Sequence, residues 1–69
     1  MDRYEEALDT FDTALKIDSK NSQALCNKAN VLVALGRHDD AISVYNRALQ
    51  VEPKDVEILN NVVIVYAGQ

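Results

Sequence analysis

An all-α fold of about four short helices is predicted by three observations. The first is a repeat: Arg3 and Arg37, Ala7 and Ala41, Phe11 and Tyr45, Ala14 and Ala48, Leu15 and Leu49, and Lys20 and Lys54 match at a constant offset (41 − 7 = 34). Self-similarity at such a period marks a chain built from stacked supersecondary units. The second is that apolar residues within each copy recur at spacings of three and four, the signature of a helical stripe. The third is punctuation, because "DSKN", Gly36 and Pro53 fall between the stripes.

The first helix spans residues 3 to 18, with Ala7, Leu8, Phe11, Ala14 and Leu15 on one face. Asp2 followed by Glu5 reads as a capping box whose acids also favour the positive end of the helix dipole. Asn21 or Ser22 caps a second helix carrying Ala24, Leu25, Ala29, Leu32 and Val33, and Gly36 supplies the left-handed residue that ends it. A third helix follows from about Asp39, with Ala41, Ile42, Tyr45, Ala48 and Leu49 aligned. It stops near Pro53, which has no backbone N–H to donate. Asp55 caps the fourth, "VEILNNVVIVYA". Its β-branched run from Val62 to Val65 also reads as a strand, and the repeat register favours helix. Short connections favour antiparallel neighbours.

One complete period, residues 22 to 55, carries Leu25-x2-Lys28-Ala29-x2-Leu32, then Ala41-x3-Tyr45, Ala48 and Pro53. The first helix supplies Ala7-x3-Phe11, Ala14 and Ser19, and the last supplies Leu59-x2-Val62-Val63-x2-Tyr66. These motifs resemble the tetratricopeptide repeat (TPR), a 34-residue helix–turn–helix unit. The resemblance covers the whole chain and implies a right-handed superhelix of antiparallel helix pairs. It divides residues 1–69, one domain or a fragment of one, into the second helix of a partial repeat (2–21), a complete repeat (22–55) and the first helix of another (56–69). The packing logic is independent of the name: small residues let helices approach, and Leu25, Leu32, Phe11, Tyr45 and Tyr66 fill the space between them. Two positions depart from the pattern. Lys28 stands where an apolar residue is usual and is expected to bury its stem with the ammonium in water. Val63 is bulkier than the small residue expected.

Composition excludes several functions. Net charge is −4, and acids and bases are interspersed, so nucleic acid and anionic membranes lack a docking surface. The apolar runs are far shorter than the roughly 20 residues of a membrane-spanning helix, and no secretory signal is visible at the N-terminus. The lone Cys26 fits a reducing compartment, hence a cytoplasmic location. Catalysis needs a nucleophile with a base, paired carboxylates in a cleft, or a metal set. One histidine (His38) and one cysteine on different elements assemble none of these, so no enzyme, metal or cofactor is expected.

Asn27 and Asn61 are also 34 apart, each on the first helix of its unit, among Gln23, Asn30, Glu57 and Asn60. The TPR resemblance implies that first helices line a concave groove, where asparagines at this register bond the backbone of an extended peptide. An amide both donates and accepts, as a peptide backbone requires. Solvated surface asparagines are the competing reading. The near absence of Lys and Arg among these groove positions argues against a carboxylate clamp and for a neutral or basic segment. Two functions therefore stand: a protein–protein interaction module holding a partner's peptide, or a scaffold stacking head-to-tail as a homo-oligomer through Leu8, Phe11, Leu59 and Val63.

Overall fold

The computed structural model describes residues 3–68, and in them four α-helices follow one another: α1 (Tyr4–Ile17), α2 (Ser22–Ala34), α3 (His38–Val51) and α4 (Val56–Gly68). The segment with strand-like composition, Val62–Val65, is helical. Apolar positions three and four apart give α4 a buried face only as a helix, and that outweighs the β preference of its valines.

Local chemistry sets the boundaries. Asn21 caps α2 by accepting from the Ala24 N–H at 3.1 Å, and Asp55 caps α4 by accepting from Glu57 N at 2.9 Å and Ile58 N at 3.3 Å. At the end of α2, Gly36 adopts φ +79°. Its N–H reaches the Val33 carbonyl while the Arg37 N–H reaches Leu32, both at 2.9 Å. This paired closure satisfies carbonyls that the helix leaves open, and it needs a left-handed residue. Arg37 precedes α3 without a side-chain cap, and its Nε bonds Asp40 Oδ2 at 3.2 Å. For α1 the residue before the helix is Arg3, again without a side-chain cap; the expected capping box uses Asp2, which lies outside the described residues.

Consecutive helices pack on one another, most extensively α2 on α3. The core joins all four: Leu8 and Leu15 from α1, Leu25, Ala29 and Leu32 from α2, Ala41, Tyr45 and Ala48 from α3, and Ile58 and Val65 from α4. Small residues sit at the closest approaches, with Ala29, Ala41 and Ala48 fully buried. Lys28 differs from expectation in detail. Its stem is largely buried, but the ammonium, instead of standing free in water, pairs with Asp12 Oδ1 of α1 at 2.7 Å.

Candidate functional site

The candidate binding residues Gln23, Asn27 and Asn30 lie on α2, and Glu57, Asn60 and Asn61 on α4. Asn61 Nδ2 donates to Cys26 Sγ at 3.6 Å, which ties α4 to α2. One turn further along α2, Asn30 Oδ1 accepts from the Tyr45 hydroxyl. Asn61 of α4 and Asn30 of α2 thus each bond a buried residue, Cys26 and Tyr45.

Burial governs the chemistry of these two residues. The Cys26 thiol is pushed above its usual range by desolvation, partly offset by the Asn61 hydrogen bond, while the carboxylates of Glu57 and Asp55 push it further up. Burial, and secondarily the field of Cys26, pushes the Tyr45 hydroxyl up to about 12. Both groups remain protonated and unreactive at neutral pH.

Of the candidate residues, Asn27 and Asn61 are half-buried, and Gln23, Asn30, Glu57 and Asn60 are exposed. The Asn27 amide makes no hydrogen bond to any described residue, whereas Asn30 and Asn61 each spend one. Ile64, at the position equivalent to Asn30, stands exposed on α4. Sequence reasoning missed it as a surface residue, although the same 34-residue offset identifies it.

The end residues divide. Leu59 and Val63 are exposed, and Phe11 is half-buried. Leu8 is a correction: it is buried in the core, because its side of α1 is the one that packs on α2. Shallow clefts along α1, α2 and α3 were not expected from the sequence either. One, about 470 Å³, lies around Lys16, Lys28 and Arg47 with Asp9 and Asp12. The polar Lys28 in an apolar register was its only sequence signal. Among the described residues, no three His, Cys, Asp or Glu side chains group as metal ligands, and no helix is long and apolar enough to cross a membrane.

Two features of this geometry coincide: helical hairpins with buried alanines at the 34-residue register, and a match of residues 1–61 to the family model described as tetratricopeptide repeat. The chain belongs to the tetratricopeptide repeat family. No curated protein is a match to it. TPR units generally mediate protein–protein interactions and bind protein partners. At the 34-residue offset α1 matches α3 and α2 matches α4.

Proposed function

We propose that this TPR chain is a non-enzymatic interaction module that holds an extended segment of a partner protein across α2 and α4. The observation that carries the reading is Asn27: a half-buried amide with no hydrogen bond to the described residues, one period from Asn61. A peptide backbone is a natural complement, since one amide side chain meets both its N–H and its C=O. Asn61 retains its carbonyl oxygen for the same task after donating to Cys26.

Charge narrows the class of segment. The groove positions offer Glu57 and no cation, and Lys28 of α2 is directed to Asp12 on α1. A neutral or basic segment fits, with an apolar side chain against Ile64. Titration of a peptide library of varied charge against the wild type and Asn27→Ala/Asn61→Ala tests the site. Binding weaker by about tenfold or more in the double variant is expected, one lost charge-neutral hydrogen bond per amide being worth about 1 kcal/mol. Unchanged affinity removes these residues from the site.

A further inference from the structure

Four of the chain's seven Lys and Arg residues, but only two of its eleven Asp and Glu residues, line two adjoining clefts. The clefts share Arg47 and form a furrow where α1 and α3 each pack on α2 rather than extensively on each other. The first, of about 470 Å³, holds Lys16, Lys28 and Arg47 with Asp9 and Asp12. The second, of about 360 Å³, is lined by Lys20 and Arg47, the neutral Ser19 and Gln50, and the apolar Leu25 and Val51, with no carboxylate.

Most of these cations are uncommitted. Lys28 meets Asp12 at 2.7 Å, so these two charges offset each other. Lys16, Lys20 and Arg47 are exposed, and their side chains make no hydrogen bond or ion pair among the described residues. Asp18 and Glu52 adjoin the second cleft in sequence and line neither cleft, and Asp18 accepts from the Lys20 backbone N–H at 3.1 Å. Repeat packing does not demand the charges either, since the counterparts of Lys16, Lys28 and Arg47 at the 34-residue offset are Gln50, Val62 and Thr13. Nor does the furrow arise from the open apolar face of α1. Asp9, Thr13 and Lys16 each lie two residues from Ala7, Phe11 and Ala14, which is about 200° around a helix and hence nearly opposite.

We propose that this furrow is a second docking surface, for an acidic segment of a partner protein whose carboxylates meet Arg47, Lys16 and Lys20. In a chain of net charge −4 a positive furrow attracts such a segment while the remaining surface repels it, which fixes where it lands. The planar guanidinium of Arg47 suits a carboxylate because two of its N–H groups can reach both oxygens. Leu25 and Val51 accept an apolar side chain between the acids; a free phosphate would leave them uncovered. Asp9 sets the direction. It stands seven residues, about 10 Å, from Lys16 along α1 and repels acids, so the acidic residues gather at the Lys20 end. The surface is separate from the α2–α4 positions, which offer Glu57 and no cation.

Nitrogen-15 NMR titration of the full chain tests this, with an end-blocked peptide of alternating glutamate and leucine as the probe. Amide shifts are expected in residues 16–20 and 47–51, with affinity falling as salt is raised. Arg47→Glu and Lys20→Glu alter exposed residues and should each weaken binding by about tenfold or more, as for a lost charge-assisted contact. Lys54→Glu changes the net charge equally outside both clefts and should alter affinity by less than about twofold. The Asn27→Ala/Asn61→Ala protein should bind this probe like wild type. Absence of binding at about 1 mM probe overturns the proposal. So does a glutamine-for-glutamate peptide that binds equally well, an Arg47→Glu protein no weaker than Lys54→Glu, or shifts that centre on Asn27 and Asn61.

Discussion

Tyr45 and Phe11 occupy the same position of the repeat, as do Leu25 and Leu59, or Ala29 and Val63. In the α2–α3 hairpin each of these residues is enclosed, and in the end helices each is wholly or partly open. The end helices are not loosely attached for that reason. Leu8 and Leu15 of α1, and Ile58 and Val65 of α4, belong to the same buried core as the centre, the two leucines at its outer edge. What α1 and α4 lack is cover on the faces that match the α2–α3 contact, while the faces they turn to that hairpin are buried. One sequence motif thus has two separable packing functions, and only the central hairpin uses both.

The sharpest way to break this comparison is to truncate both aromatic mates. Tyr45→Ala removes a fully buried ring and is expected to cost about 3–5 kcal/mol, enough to unfold a domain of this size. Phe11→Ala, half-buried, is expected to cost about 1 kcal/mol by the area it removes from water. Urea unfolding monitored by circular dichroism measures both. Equal losses would show that the two positions are energetically alike despite their exposure.

Alkaline pH probes the same enclosure without a truncation. The Tyr45 hydroxyl is held near 12 by burial, so the folded chain binds this proton more tightly than the unfolded chain, whose tyrosine titrates near 10. Its stabilising effect is complete below pH 10 and is lost as pH rises toward 12, by about 2–3 kcal/mol. The raised Cys26 thiol acts with the same sign, its loss beginning from its ordinary value of 9.0. Unfolding curves from pH 8 to 12 should therefore show falling stability. Tyr45→Phe should flatten the upper part of that fall, at a cost near 1 kcal/mol at neutral pH for the bond to Asn30.

A third pair reverses the size change. Ala29→Val puts a larger side chain where α3 approaches α2 and is expected to cost about 1–3 kcal/mol. Val63→Ala removes the corresponding bulk from an open face and should change stability by less than about 0.5 kcal/mol at low concentration. Both are read from denaturant midpoints. If Ala29→Val is neutral, the alanine register does not set the helix separation.

The helices and their ends were legible in the sequence because each depends on neighbours a few residues away. Asn21, Gly36 and Asp55 act through hydrogen bonds spanning two to five residues, and the apolar stripes repeat within a turn. The fate of Leu8 was not legible, since both sides of α1 carry apolar residues and only the assembled fold shows which one meets α2. The Asn61–Cys26 and Tyr45–Asn30 contacts were hidden for the same reason: they join residues 35 and 15 positions apart. The phased asparagines were visible, but their pairing state, which distinguishes Asn27 from Asn30, depends on side-chain directions that no spacing encodes.

The caps offer a smaller effect that separates centre from end by location. Asn21→Ala and Asp55→Ala each remove a side-chain acceptor from a helix start and should cost about 1 kcal/mol. Their distribution should differ. Losing the Asn21 cap weakens a helix packed on both sides, so amide exchange rises throughout the core. Losing the Asp55 cap affects α4, half of whose apolar face has no cover, so exchange should rise in Val56–Gly68 first and leave α2 protected. Uniform exchange in both variants would mean that α4 does not open independently.

The smallest expected effect on stability belongs to Asn27→Ala. Its amide has no partner among the described residues, so its removal strands no donor or acceptor, and the unfolding midpoint should move by less than about 0.5 kcal/mol. Alanine is also the better helix former, which acts in the stabilising direction. Asn30→Ala provides the contrast one turn away. It deprives the buried Tyr45 hydroxyl of its acceptor and should cost about 1–3 kcal/mol, although Asn30 is the more exposed of the two. If Asn27→Ala instead costs as much as Asn30→Ala, the Asn27 side chain serves the fold and is not reserved for a ligand. A neutral Asn27→Ala that binds peptide more weakly gives the opposite result: a groove residue dispensable to the hairpin that carries it.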